Sequence, residues 1–258
     1  MSRAVEQRFP ALVVGDVVED GGVMPRTYRA LADSVLSRPA QLGAVRVVGV
    51  DGRAGSGKTT FAGRLARALG QGRGTGDGIE RTARRVTVLH TDDFLDGWAK
   101  LLAWQPRMRE WVLEPLGRGE AGAYRRYDWG LERLVDEWTP VEPPDVLVVE
   151  GVGSGSMAMR PYLTLGVLVT APRGLRLQRG LERDGEALRA EWERWMAAED
   201  EHFAADPTEM AMDVLVDGAS GEGHDPENEY IAVPSGWTAR ATLEDDPESR
   251  PDGEEWSE

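Results

Sequence analysis

The chain has 258 residues, of which 41% are hydrophobic and 29% are charged, a balance that excludes full disorder and allows a large hydrophobic core. The absence of cysteine excludes disulfides and thiolate metal sites. The formal net charge of −15 argues against the basic face that nucleic-acid backbones require, so we expect no nucleic-acid partner.

The first predicted element is an amphipathic helix over residues 27–38, with Tyr28, Leu31 and Val35 near one face. Because it precedes the first predicted strand, we expect residues 1–43 to form an N-terminal segment with one helix packed on the main domain. The N-terminus lacks the pattern of a signal peptide, and no apolar run approaches the roughly 18–20 residues that cross a bilayer. We therefore expect a cytoplasmic protein without a membrane partner; the oligomeric state stays open.

Short apolar segments that alternate with helical patterns follow along the chain. The predicted strands are 44–51, 86–90, 145–151, 165–171 and 212–218, and the clearest helices are 61–69 and 185–204. Near-continuous apolar strands joined by long crossovers are typical of a parallel sheet covered on both faces. The pattern therefore indicates an α/β fold.

Two stretches have the composition of mobile chain. Residues 70–85 are rich in glycine and charge, which predicts a surface loop. From Gly218 to Glu258 there are twelve Asp and Glu against two Arg. We expect residues 219–258 to form a disordered or loosely attached acidic tail.

The sequence GRAGSGKT, from Gly52 to Thr59, fits the pattern G-x-x-x-x-G-K-[ST] and lies between a predicted strand and a predicted helix. Glycines let backbone N–H groups turn toward phosphate oxygens, and a helix N-terminus adds partial positive charge. Lys58 supplies a full charge, and the Thr59 hydroxyl is suited to Mg²⁺. The predicted nucleotide-binding residues here are Gly52, Ala54, Gly55, Ser56, Gly57, Lys58, Thr59 and Thr60.

Acidic residues follow two of the predicted strands. Asp92 and Asp93 come after 86–90, and Glu150 ends VLVVE. The carboxyl ends of parallel strands lie at one edge of the sheet, beside the glycine-rich turn. Acids there can bind Mg²⁺ or accept a proton from an attacking hydroxyl; the alternative is that they cap loops.

Three arginines recur at helical spacing after the strand 165–171. Arg176, Arg179 and Arg183 can share one helix face directed at a polyphosphate. Such a helix would stabilise the transferring phosphoryl group and exclude water. The alternative is a solvated basic face.

The motifs VGVDGRAGSGKTT, TDDFL, YDW, VVEGVG and RLQRGLERD, in this order and spacing, resemble the uridine kinase, phosphoribulokinase and pantothenate kinase group of P-loop small-molecule kinases. The resemblance covers about residues 44–218, which we predict to be the kinase domain. It implies a three-layer sandwich with a five-stranded parallel sheet, helices on both faces and an arginine-bearing lid. It also implies ATP or GTP with Mg²⁺ and transfer of the γ-phosphoryl group to a hydroxyl of a small molecule.

The resemblance assigns roles to single residues. Asp92 would be the catalytic base, with Lys58, Arg179 and Arg183 as further catalytic residues. Arg176 would bind the nucleotide, and Thr59, Asp92 and Glu150 would hold the metal. The substrate would contact Asp92, Asp93, Tyr127, Asp128 and Arg183. Uridine kinases carry a base-reading histidine shortly after the YDF motif, whereas YDWGLER has none, so a nucleoside-like acceptor is predicted without its identity.

Two alternatives stay open. A kinase of the same fold could act on pantothenate or a sugar phosphate, and the latter would need a second cationic cluster, which Arg125, Arg126 and Arg133 could supply. A nucleotide-binding regulatory NTPase would instead need no small acceptor and would use the acidic tail to reach a partner.

Overall fold

The computed structural model describes residues 23–71, 83–98, 101–220 and 223–234. The first part of the chain forms β1 (Met24–Thr27), α1 (Tyr28–Ser37), β2 (Arg46–Asp51), α2 (Lys58–Gly70) and β3 (Val86–His90). These bounds confirm the predicted helix at 27–38 and the first two predicted strands within a few residues. Most of the predicted loop at 70–85 lies outside the described residues.

The crossover from β3 to the next strand of the main sheet is long and irregular. It contains α3 (Trp104–Met108), a π-helical stretch Arg109–Leu113, α4 (Glu114–Gly117), β4 (Gly122–Tyr124), β5 (Tyr127–Asp128), β6 (Arg133–Leu134) and β7 (Thr139–Val141). The short strands form two small antiparallel sheets: β4 pairs with β7, and between them β5 and β6 form a hairpin.

The remaining elements complete the main sheet and the helices beside it. They are β8 (Val146–Glu150), β9 (Leu165–Thr170), α5 (Arg173–Asp184), α6 (Arg189–Ala205), α7 (Thr208–Ala211), β10 (Val214–Asp217) and β11 (Glu229–Val233). The predicted strands at 145–151, 165–171 and 212–218 are thereby confirmed, as is the helix predicted at 185–204.

The main sheet has seven strands in the order β1-β11-β10-β9-β2-β8-β3. The five strands from β10 to β3 are parallel to their neighbours, as expected, whereas β11 and β1 pair antiparallel. The sheet is therefore wider than the five strands implied by the resemblance. The expectation of a disordered tail is wrong for Glu229–Val233. The run EYIAV forms β11, whose backbone pairs with the edge of β10 and whose apolar side chains pack on the faces of the sheet. Residues 235–258 lie outside the described residues.

Side chains alternate between the two faces of the sheet, as the pleat requires. Val48 and Val50 of β2 face a core made with α1 and α2, while Val47 faces a second core that contains Trp104, Met108 and Leu113 of the long crossover. The fold is thus an α/β sandwich with helices on both faces.

Strand β11 is tied to the rest of the chain by an aromatic triad of Tyr28, Phe61 and Tyr230. Their ring centroids lie 5.2 to 5.4 Å apart, and all three side chains are buried. The triad joins the N-terminal helix, the helix after the glycine-rich turn and the added strand in one core.

We expect Tyr230→Ala to lower the free energy of unfolding by about 3 kcal/mol or more, because it removes a buried ring from this core. Chemical denaturation of the full chain measures the change. Met210→Ala is the control, since Met210 is 87% exposed and should change stability by less than about 0.5 kcal/mol. An unchanged stability for Tyr230→Ala would show that β11 does not belong to the folded core.

Candidate active site

The glycine-rich turn between β2 and α2 requires its glycines. Gly52, Gly55 and Gly57 have φ values of 141°, 78° and 100°, which side chains of L-residues rarely allow. A Cβ atom at Gly52 would lie 2.1 Å from the carbonyl oxygen of Val169, and one at Gly55 would lie 2.5 Å from that of Arg176. The turn is therefore packed closely against β9 and α5.

The N-terminus of α2 opens into a cavity. Gly57 precedes the helix and offers no side-chain cap, and the first N–H groups of a helix have few partners within the helix itself. Lys58, Thr59 and Thr60 of this first turn line the cavity. Free N–H groups and a helix dipole at one place form a site suited to phosphate.

Two buried carboxylates hold the glycine-rich turn in place. Asp51 accepts hydrogen bonds from the N–H groups of Gly52, Gly153 and Gly155 at 2.6, 2.9 and 2.8 Å. Glu199 of α6 accepts one from the N–H of Ala54 at 2.6 Å. Burial raises the pKa of each carboxyl, although these hydrogen bonds oppose the shift.

The cavity measures about 780 Å³ and lies at the carboxyl ends of β2, β3 and β8. It is lined by four groups of residues: the turn, acids at strand ends, arginines of α5, and aromatic side chains. Those that bear on chemistry are Lys58, Thr59, Thr60, Asp92, Glu150, Arg179 and Arg183. One space therefore contains most of the residues that the sequence predicts to act together.

Asp92 stands in a single 3₁₀ turn, Thr91–Phe94, directly after β3. Its side chain is reached by solvent through the cavity, but the surrounding protein displaces much of the bulk water. This desolvation raises the pKa of Asp92, while the nearby charge of Lys58 opposes the shift. A carboxylate with a raised pKa is a better proton acceptor than an ordinary aspartate.

Glu150 is buried at the end of β8 and has a partner that sequence reasoning missed. His90 Nδ1 lies 2.7 Å from Glu150 Oε2. Burial acts to raise the pKa of Glu150, but the hydrogen bonds with His90 and Thr59 and the charge of Lys58 outweigh it and lower the pKa. The bond to Glu150 raises the pKa of His90. Strand register identifies this pair, since His90 is the parallel partner of Glu150.

Arg179 and Arg183 line the cavity, and both are already partnered. Arg179 donates to the carbonyl oxygens of Gly55 and Gly218 at 3.1 to 3.2 Å. Arg183 pairs with Asp184 at 2.7 Å and stands over the ring of Trp192. Helix α5 therefore directs two cationic side chains toward the glycine-rich turn.

Arg176 lies elsewhere than predicted. It is 3% exposed and does not line the cavity; its guanidinium donates to Glu199 Oε2 at 3.3 Å and to the carbonyl oxygen of Ala171 at 3.1 Å. Burial lowers its pKa to about 10. The structure thus places Arg176 among the contacts that join α5, α6 and the turn. The prediction missed this because the helical spacing of the arginines does not show which of them faces the core.

The predicted substrate residues of the β5–β6 hairpin also lie outside the cavity. Tyr127 is 4% exposed and packs on Trp129, with ring centroids 5.1 Å apart. Asp128 accepts hydrogen bonds from the N–H groups of Gly130 and Leu131, so it supports the hairpin turn. Asp93 does not line the cavity either. From this hairpin, Trp129 and Glu132 line it instead.

Four tryptophans form one wall of the cavity. Trp98 lies at their centre, with its ring centroid 5.4 Å from Trp129, 6.4 Å from Trp192 and 5.7 Å from Trp195. Trp98 and Trp129 remain 37% and 39% exposed. The same cavity therefore contains a turn suited to phosphate and an aromatic wall.

The arginines that could hold a second phosphate are engaged elsewhere. Arg125 and Arg133 both pair with Asp136, at 3.0 and 3.3 Å, and Arg126 lies 3.8 Å from Asp128. None of the three lines the cavity.

A second cavity of about 380 Å³ adjoins the first. Gly57, Thr60 and Arg179 line both cavities, and the second extends toward His224 and Tyr230. Two spaces therefore meet at the start of α2.

The donor set suits Mg²⁺. Thr59, Asp92 and Glu150 line the same cavity. Within the described ranges there is no group of three or more His, Cys, Asp and Glu side chains arranged for a metal. Mg²⁺ needs none, because it is commonly held by one or two carboxylates, a hydroxyl, substrate phosphates and water.

Comparisons with known proteins agree with this geometry. Residues 47–193 match the model of the "Phosphoribulokinase / Uridine kinase family". A protein named uridine kinase from Leuconostoc citreum (strain KM20) is 26% identical over 185 residues, which cover 66% of this chain and 86% of that protein. A structure described as a possible uridine kinase from Bacillus stearothermophilus has a TM-score of 0.52 at 21% identity and covers 73% of this chain and 96% of its own. That structural likeness shows the fold.

The described part of the chain contains no helix that is long and apolar enough to span a bilayer.

We expect Arg176→Ala to lower the free energy of unfolding by about 3–5 kcal/mol, because it leaves the Glu199 carboxylate buried without its charged partner. Urea denaturation measures the change. Arg173→Ala is the matched control on the same helix: its ion pair with Asp200 is half exposed and contributes less than about 1 kcal/mol. Weakened nucleotide binding with unchanged stability in Arg176→Ala would contradict this placement and show that Arg176 binds the nucleotide.

Proposed function

The chain belongs to the phosphoribulokinase / uridine kinase family, and we propose that it transfers the γ-phosphoryl group of ATP or GTP, with Mg²⁺, to a hydroxyl of a small nucleoside-like molecule. Membership makes it a P-loop kinase, which implies nucleotide binding and a small-molecule acceptor. The observation that carries the finer proposal is that one cavity contains both the phosphate-binding turn and Asp92. Donor phosphate and acceptor hydroxyl would meet there.

The residues at the start of α2, on α5 and after β3 have separate roles in this proposal. The N–H groups at the start of α2 and the Lys58 ammonium would bind the phosphates. Arg179 and Arg183 would stabilise the charge on the transferring group. Asp92 would orient the acceptor hydroxyl and take its proton. Phosphoryl transfer depends mainly on such positioning and electrostatics.

Thr59, Asp92 and Glu150 are the residues that would hold Mg²⁺, which when bound neutralises phosphate charge. His90 would keep Glu150 ionised and oriented, since it lies 2.7 Å from that carboxylate.

The acceptor and the base of the donor would occupy different cavities, while the phosphates of the donor would lie on the turn, which borders both. The smaller cavity meets the larger at Gly57, Thr60 and Arg179, so a triphosphate on the turn could place its base there. The larger cavity would then keep its aromatic wall for the acceptor. This division supports a two-substrate enzyme over a protein that only hydrolyses or senses a nucleotide.

We expect Asp92→Asn and Lys58→Ala to fail in different ways. Asp92→Asn removes the proton acceptor and should lower kcat by at least about a hundredfold, while leaving triphosphate binding within a few-fold of wild type. Lys58→Ala should weaken triphosphate binding itself, because it removes the lysine at the end of the glycine-rich turn. Nucleotide titration and label transfer from γ-labelled ATP measure the two effects.

Asp96→Asn is the control for Asp92→Asn, since Asp96 lies four residues away, does not line the cavity and pairs with Arg107. Its activity should stay near that of wild type. Full transfer activity in Asp92→Asn would contradict the assignment of the base.

A further inference from the structure

The acceptor part of the cavity has a chemical character of its own. This inference rests on the proposed function, because it assumes that a triphosphate occupies the turn and takes up the charge of Lys58. The wall that remains combines Trp98, Trp129 and Leu188 with the carboxylate of Glu132. It is aromatic and acidic.

Glu132 stands out for its backbone conformation. Its φ is 50°, and no other non-glycine residue in the described ranges has a positive φ. This region disfavours residues with a side chain, and such positions concentrate at functional sites. Within the same ranges, no hydrogen bond or ion pair engages its carboxylate. The exposed Glu132 carboxylate therefore lines the cavity as an unpaired charge, at a position where the backbone conformation would suit glycine better.

The hairpin turn fixes the place of this carboxylate. Asp128 accepts the N–H groups of Gly130 and Leu131 at 3.0 Å each, and β6 begins at Arg133, directly after Glu132. Glu132 is thus held between a capped turn and a strand, three residues after Trp129 in the hairpin.

The aromatic wall suits a ring that bears a nitrogen. The rings of Trp98 and Trp129 meet at 64° and are both more than one-third exposed, so they form a corner that offers a face and an edge. Indole faces attract aromatic rings and cationic nitrogen. A carboxylate beside them accepts hydrogen bonds and cannot donate one when ionised.

The same wall has little to offer an anion. Arg125, Arg126 and Arg133 pair with carboxylates outside the cavity. Arg183, which does line it, is paired with Asp184. Among the described residues, the other cations that line the cavity are Lys58 and Arg179, and both contact the glycine-rich turn, where the phosphates would lie. A negatively charged acceptor would therefore meet Glu132 with little positive charge left to offset the repulsion.

We propose that the acceptor is a hydroxyl compound whose aromatic ring carries an amino group or a protonated nitrogen, and that Glu132 accepts the hydrogen bond from that nitrogen. Trp98 and Trp129 contact the ring, and the hydroxyl lies toward Asp92. Anionic alcohols such as pantothenate and sugar phosphates are poor acceptors.

Matched ring compounds test this proposal. Cytidine carries an exocyclic amino group beside an unprotonated ring nitrogen where uridine carries an oxygen beside a ring N–H, and adenosine and inosine differ in the same way. For each compound, kcat/KM for transfer from γ-labelled ATP is measured, and binding is measured separately by quenching of tryptophan fluorescence, with pantothenate and ribulose 5-phosphate as anionic probes. We expect at least one amino compound to bind and react at least about tenfold better than its oxygen counterpart, the effect of a hydrogen bond to a charged group.

Two variants remove the interaction in different ways. Glu132→Gln keeps the size of the side chain and should abolish the preference for the amino compound. Glu132→Gly should do the same and also raise the melting temperature, because glycine relieves the backbone strain. Glu137→Gln is the control, since Glu137 is exposed and does not line the cavity; it should keep the preference.

The outcomes separate this inference from the proposed function. Transfer to ring compounds with no amino preference, or a preference that survives in Glu132→Gln, would overturn the role of Glu132 and leave the kinase intact. Preferred transfer to an anionic probe would overturn it as well. Glu132-dependent binding of amino compounds with no transfer to any acceptor would support the site and overturn the proposed reaction.

Discussion

The arrangement of the site depends on how the glycine-rich turn is held between two buried carboxylates. Asp51 binds the N–H groups of Gly52, Gly153 and Gly155, which joins the turn to the loop after β8. Glu199 accepts the N–H of Ala54, which joins the turn to α6. Burying a carboxylate is costly unless it is fully hydrogen-bonded, and both are. Because these bonds fix the turn in advance, little reorganisation is needed for its N–H groups to meet a phosphate.

The same carboxylate of α6 links the turn to the arginine-bearing helix. Glu199 also pairs with Arg176, and Asp200 pairs with both Arg53 and Arg173. Helix α5 is thereby held at a fixed distance from the turn, with Arg179 and Arg183 facing the cavity. We infer that these ion pairs fix α5 as one wall of the site. Arg176, which faces the core, supports this wall, whereas Arg179 and Arg183, one and two turns further along, line the cavity.

Much of the fold and part of the site were predictable from the sequence. Apolar runs identified every parallel strand, and a motif between a strand and a helix located Lys58 and Thr59. Asp92 and Glu150 followed from the ends of two strands. Other features depend on tertiary contacts. The spacing of the arginines could not show that Arg176 is buried. The pattern of α6 likewise could not show which of its many polar residues is buried, so Glu199 was missed. Strand β11 was not predicted because it lies in a region of acidic composition. The conformation of the β5–β6 hairpin, which places Trp129 and Glu132 at the cavity and Tyr127 and Asp128 outside it, also could not be predicted from the sequence.

The most direct measurement is ³¹P nuclear magnetic resonance of the purified full chain with ATP, Mg²⁺ and a set of hydroxyl compounds, compared with the same mixture without an acceptor. We expect a new phosphate monoester resonance with at least one acceptor, formed in step with ADP and in excess of inorganic phosphate. Formation of inorganic phosphate alone, at the same rate with every compound and with none, would contradict this expectation and indicate a nucleotide hydrolase.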